Sequence, residues 1–302
     1  MKKQVTQFKN LPKADVHSHL HLAGSQHRFA HRYPDAQLNF PISYNGLSGM
    51  IDFIYGHLNT IMLTDKDVIN FMEIAIESAI DDNITLLEAS IDLGLARFFN
   101  NNIEKVIEVV QTLKEDYKSQ INFKPDLGIN KDLLLGKLYS DGIVCLESGV
   151  FNGIDLYGQE KKKDLKPFVR FYEMAKTMGH KTKVHIGEFS DPQSINETIN
   201  LLQPQELQHG IRAVESNRTM DLILENNIRL NICPTSNILL GAVDNIKNHP
   251  IRKLFDYGIK VTINTDDLIL FDTTVSEEFL KLFKENIFSF EELDVIRQNA
   301  FN

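Results

Sequence analysis

Strand-like and helical patterns alternate about eight times along this chain, and that alternation is what most restricts its fold. The strand-like segments start near Asp15, Ile84, Ile121, Gly153, Lys181, Leu207, Ile228 and Ile259. Between them lie amphipathic stretches with clear boundaries. Thr64 and Asp67 form a capping pair ahead of Val68, Phe71, Met72, Ala75, Ile76, Ala79 and Ile80 on one helical face. Leu165, Phe168, Val169, Tyr172 and Ala175 repeat the spacing, with Gly179 at the expected stop. Eight such units predict an α/β fold, a (β/α)8 TIM-type barrel. A doubly wound open sheet also alternates, but its first strand leads into a Gly-rich phosphate turn, whereas here it leads into HSHLH.

No linker or internal repeat divides the 302 residues, so residues 1–302 read as one barrel domain. The longest charge run, EKKKDLK around Lys161, reads as a solvated loop. The segment from Ser25 to Thr64, with Phe29, Tyr33, Phe40, Tyr44, Phe53 and Tyr55, reads as a helical cover over the barrel mouth, its aromatics used mainly for packing. Apolar residues at 42% allow a large core, and a net charge of -9 argues against a nucleic-acid partner. No stretch reaches the roughly 18 apolar residues of a membrane span, and MKKQVTQFKN lacks a signal-peptide pattern, so the chain is expected to begin where its fold begins. Two cysteines, Cys145 and Cys233, make no disulfide framework and suit a cytoplasmic location.

The chemistry collects at predicted strand ends. His17 and His19 are two apart, so an extended strand projects both to one side, where they can share an ion. Candidate partners end other strands: His185 in KVHIGEF, His209 in LQHGIR, and Asp266 with Asp267 in INTDD. A (β/α) barrel converges all its strand C-termini on one face, so these distant residues can meet. Three imidazoles and a carboxylate suit Zn²⁺ or another divalent ion, whose bound water loses its proton near neutral pH. Glu188, three residues after His185, lies within a turn's reach as a proton shuttle. Cys233 reads as a small buried apolar group, and Ser236 and Asn237 as caps of the next helix.

In order along nearly the whole chain, LPKADVHSHL, GIDLYG, VHIGE, the HG at His209, CPTSN and INTDD resemble the motifs of the adenosine deaminase family of metal-dependent amidohydrolases. The resemblance implies a single zinc held by His17, His19, His185 and Asp266, with Glu188 protonating the purine ring nitrogen beside the carbon under attack. It further implies that His209 orients the attacking hydroxide and stabilises developing charge, that Asp267 accepts a substrate hydrogen bond or helps hold the hydroxide, and that the Gly158 backbone meets the purine edge. The implied substrate is a small aminopurine, nucleoside or base, converted to the oxo product and ammonia. Asp155 is assigned to orienting the substrate loop or a metal ligand.

The chain also departs from the family. His21 in HLHLAGS stands near the place of an acid or amide that helps read the substrate, which makes His21 a candidate substrate contact and leaves the particular aminopurine open. Leu268 follows TDD where proline is usual, Gln208 precedes HG where glycine is usual, and NAFN ends the chain short of a further helical segment. Rival readings are a metal-dependent phosphoesterase, another amidohydrolase, or an inactive nucleoside-binding homologue. Oligomeric state is not legible.

Overall fold

The structure, a computed structural model, describes residues 7–36, 38–160 and 164–302. Eight parallel strands follow one another in chain order around a single sheet: β1 (Lys13–Asp15), β2 (Ile84–Asp92), β3 (Asn122–Asn130), β4 (Gly153–Tyr157), β5 (Lys181–Ile186), β6 (Glu206–His209), β7 (Arg229–Ile232) and β8 (Val261–Ile263). The expected (β/α)8 barrel is therefore present, with helices at each crossover. Its seam between β8 and β1 is thin. There the Asp266 N–H donates to the His17 carbonyl (3.0 Å) and the Val16 N–H to Asn264 Oδ1 (2.9 Å), beside one isolated bridge between Ser18 and Asp266. The helix Phe290–Asn299 packs across this seam, with Arg297 donating to the Pro12 carbonyl and Asn299 to that of Val261.

Local chemistry accounts for the helix limits. Thr64 and Asp67 form the expected reciprocal capping box on Asp65–Asp81, whose inner face buries Val68, Phe71, Met72, Ala75 and Ile76. Helix Lys166–Thr177 ends before Gly179, which takes φ +85°, open to glycine without the Cβ penalty.

The barrel interior is polar, unlike the Val/Ile/Leu filling usual in such folds. On β5, Thr182, Val184 and Ile186 alternate with Lys183 and His185. Lys183, fully buried, places its ammonium 2.7 Å from both Glu88 of β2 and Asp126 of β3. Asn231 of β7 donates to Glu206 and Gln208 of β6 (2.7 and 2.8 Å). These contacts satisfy groups whose burial without partners would be costly.

Helix Gly46–Gly56 and the turn Leu58–Thr60 cover the C-terminal mouth, whereas helix Gln26–Arg32 lies to the side, tied to Asp65–Asp81 by Arg28 and Arg32. The cover is thus shorter than the segment Ser25 to Thr64. Most of its aromatics pack on one another, as Phe29 does on Tyr33 and Phe71, and Tyr44 on Phe53 and Phe271. The charge run around Lys161 is not simply a solvated loop: residues 161–163 lie outside the described residues, but Glu160 turns inward. Among the described residues no helix is long and apolar enough to cross a membrane.

Candidate metal centre and its pocket

His17 and His19 follow β1, His185 lies near the end of β5, and Asp266 follows β8, so four residues spread over 250 positions converge at the barrel's C-terminal mouth. The His17 Nε2 atom lies 3.0 Å from His185 Nε2 and 3.7 Å from Asp266 Oδ1, and His19 Nε2 also lies 3.7 Å from Asp266 Oδ1. The hydrogen bonds made by the opposite ring nitrogens set the tautomers. His17 Nδ1 meets the Asn231 carbonyl at 2.8 Å, which only accepts, so that nitrogen bears the proton and Nε2 keeps its lone pair. His185 Nδ1 donates to Asp155 Oδ1 at 3.0 Å, with the same result. Burial lowers the proton affinity of His17, keeping the ring neutral. Two lone pairs therefore face each other across 3.0 Å beside a carboxylate, an arrangement that is repulsive alone and suited to a shared cation.

A second group of potential ligands, His17, His209, Cys233 and Asp266, is also compact. It fits less well. Asn237 donates from Nδ2 to His209 Nδ1 at 3.1 Å, which places the His209 proton on Nε2, toward the cavity, where it can donate but not ligate. Burial pushes the Cys233 thiol well above its usual range, so the thiolate ligand is disfavoured. Cys233 is the small buried group expected from the sequence.

Glu188 is 4% exposed rather than lying on a surface helix. Burial first, and then the charges of Asp266 and Glu160, raise its pKa well above the ordinary carboxylate value, which favours the protonated form. Its Oε1 accepts from Asn237 at 2.6 Å, and Oε2 lies 3.6 Å from His209 Nε2. Asp267 is buried with Oδ1 unpartnered, and burial followed by the neighbouring Asp266 charge moves its pKa up to about 8. His209 and Asp266 both adopt left-handed backbone (φ +68° and +61°), a costly conformation for residues with a Cβ and one concentrated at functional sites.

These groups open on a cavity of about 410 Å³. Leu47, Met50, Ile51 and Ile54 of the cover give it an apolar wall, and Gly158 at the end of β4 brings backbone to its side. His21 lines the same cavity with Nδ1 unpartnered, and burial, then His19 and Arg97, push its pKa down to about 3. Of the six aromatics named in the segment Ser25 to Thr64, only Tyr55 reaches the cavity. Among the described residues the ionic lining is acidic, with Asp92, Asp132, Glu160, Glu188, Asp266 and Asp267 against Arg97, contrary to the basic surroundings a phosphoesterase requires.

The family profile described as "Adenosine deaminase" matches residues 12–302. A "putative adenosine/adenine deaminase" of Treponema pallidum (strain Nichols) is 33% identical over 280 residues, covering 93% of this chain and 94% of the relative. The chain belongs to the adenosine deaminase family. It is accordingly a hydrolase that acts on a C–N bond. Among solved structures, the adenine deaminase from Arthrobacter aurescens shares the fold with a TM-score of 0.81 at 22% identity, over 96% of this chain and 92% of that one. An amidohydrolase from Burkhoderia ambifaria with bound Zn aligns with a TM-score of 0.79 at 18% identity, over 98% and 86%.

Several groups at this deaminase site were not assigned from the sequence. Ser236 and Asn237 do not cap a helix: Pro234–Leu239 takes Cys233 as its N-cap, so both lie inside it and face the site. Ser236 Oγ donates to Asp266 Oδ2 at 2.7 Å, while Asn237 links Glu188, His209 and, through Oδ1, His249 at 3.1 Å. Asp155, assigned from the sequence to the substrate loop or a metal ligand, accepts from His185; burial opposes its charge, but His185, His19 and the Ser90 hydroxyl together outweigh burial and hold its pKa low. Tyr157 packs edge-on to His19 with ring centroids 4.6 Å apart and bonds to Asp92. Nothing in GIDLYG alone revealed that contact.

Proposed function

We propose that this enzyme is a zinc-dependent hydrolytic deaminase of an aminopurine nucleoside or base, with one ion per chain held by His17, His19, His185 and Asp266. The observation that carries the reading is the pair of facing Nε2 lone pairs, 3.0 Å apart beside Asp266, with the buried Glu188 carboxyl close by. A nitrogen-rich donor set completed by one carboxylate favours zinc over magnesium or calcium, and the zinc-bound amidohydrolase of the same fold supports that choice. When bound, the ion supplies Lewis acidity that makes water nucleophilic near neutral pH.

The chain's own residues do the rest. Glu188 delivers its proton to the ring nitrogen next to the amino-bearing carbon, which makes that carbon electrophilic. His209, held by Asn237, directs its Nε2 proton at the oxygen side of the reacting carbon and offsets charge that develops there. Asp267 offers its unpartnered oxygen as an acceptor, Gly158 forms the wall beside the purine edge, and His21 reads the substrate farther out. One water is consumed, the C–N bond breaks, and ammonia leaves. Relatives include proteins named adenosine deaminase and proteins named adenine deaminase, so the choice between nucleoside and base rests on the cavity itself. We read residues 1–302 as one catalytic domain because one apolar cluster runs from Phe8 to Ile296, and two buried, unbridged cysteines support a cytoplasmic location.

Ammonia release by zinc-loaded protein, against adenosine, deoxyadenosine, adenine, adenosine nucleotides and modified adenosines, tests the reading directly. Release from one compound that stops on chelation is expected. Silence across the panel with zinc content verified rules out deamination of adenine and its nucleosides and nucleotides.

A further inference from the structure

We infer that Glu160 is a positioning residue for the deamination: its carboxylate clamps the turn of residues 187–190 and thereby sets where the Glu188 carboxyl meets the substrate. The inference rests on the proton-donor role given to Glu188 above. Directly after β5 the chain makes a sharp turn at Gly187, with φ +80°, and a Cβ there would meet Ile195 at 2.6 Å. The turn leaves four successive amides pointing to one place, an anion-binding nest. Glu160 fills that nest. Its Oε2 accepts from the amides of Gly187 (3.0 Å), Phe189 (3.1 Å) and Ser190 (2.8 Å) and from Ser190 Oγ (2.6 Å), and its Oε1 accepts from the amide of Glu188 (3.0 Å).

The two ends of Glu188 are thus fixed separately: the backbone by Glu160, and the carboxyl by Asn237 at 2.6 Å. Charge-assisted bonds of this kind are stronger than neutral ones, and they tie the turn carrying the acid to the segment that follows Gly158. Glu160 itself carries no proton to or from the substrate in this scheme. Its effect is on placement, where an error of about 1 Å costs on the order of a hundredfold in rate.

Glu160→Gln separates this role from mere packing, because the amide has the shape of the carboxyl but only one accepting oxygen. Three amides and a hydroxyl share Oε2, so the glutamine oxygen settles there and its NH2 replaces Oε1, opposite the Glu188 amide. The bond given up is the acid's own. We expect zinc content and thermal midpoint close to wild type, faster hydrogen exchange at amides 187–190, and kcat lowered by about 10- to 100-fold with KM little changed. Ser190→Ala removes the hydroxyl's donation to Glu160 Oε2 (2.6 Å) and its acceptance from the Gly187 amide (3.1 Å) while leaving the four amide bonds to Glu160, so a smaller loss in the same direction is expected, and it decides the matter if Glu160→Gln does not fold. Wild-type kcat in the folded variant, or a kcat loss without faster exchange at 187–190, overturns the clamp. If wild-type protein deaminates nothing, the deaminase reading fails by itself, and unchanged exchange in Glu160→Gln then overturns the clamp separately.

Discussion

A carboxyl group that is 4% exposed, faces Asp266 and takes one hydrogen bond from an amide keeps its proton where a surface glutamate would lose it. That is the condition for Glu188 to act as an acid at neutral pH. Replacing it by glutamine keeps the shape and the Asn237 contact but removes the transferable proton. Glu188→Gln is expected to retain zinc, measured by metal analysis, and to lose turnover by about 10²- to 10⁴-fold. The sign with pH follows from the raised proton affinity: wild-type kcat/KM holds past the ordinary carboxylate range and falls as pH rises through the elevated pKa of Glu188. A profile that rises through that region instead makes Glu188 a base. At this scale, residue types and their spacing were enough to nominate His17, His19, His185, Glu188, His209, Asp266 and Asp267, because each ends or closely follows a recognisable strand. Asn237 escaped because a buried amide inside a helix and a capping amide look the same in sequence.

Among the elements, β5 shows best how closure changes the meaning of a pattern. In KTKVHI, lysine and histidine alternate with apolar or small residues, which in an open sheet would mean one face in water. Here the polar face turns into the lumen, where Lys183 is held between Glu88 and Asp126 with Glu206 3.9 Å away. Burial opposes the lysine charge, but these three carboxylates outweigh it and hold its proton affinity above the usual value. Removing one partner from such a cluster strands the others. Lys183→Met is therefore expected to lower unfolding free energy by about 3–5 kcal/mol, read by urea denaturation. A loss below about 1 kcal/mol would show the cluster to be solvated after all.

For the whole molecule, the proposed ion has a place in stability as well as in chemistry. His17 and His19 stand on one side of the thin β8–β1 seam and Asp266 on the other, with His185 across the mouth. A shared ion joins strands that few backbone bonds connect. Chelation is expected to lower the thermal midpoint, and restored zinc to raise it with concentration as it adds about 2.7 kcal/mol of unfolding free energy at 100 times the dissociation constant. A midpoint indifferent to zinc removes the ion from this seam. The fold class was legible in the sequence because period-two and period-3.6 patterns are local, as are the capping box at Thr64 and the stop at Gly179. The ordered motifs carried the reaction class for the same reason. The direction of side chains was decided only by the closed barrel: which alternate residues of each strand face the lumen, which tautomer each imidazole takes, and that Glu160, from a run that looks like solvent-facing charge, reaches the turn beside Glu188. Those depend on contacts between residues far apart in sequence, where the partner, and not the residue type, sets the energy.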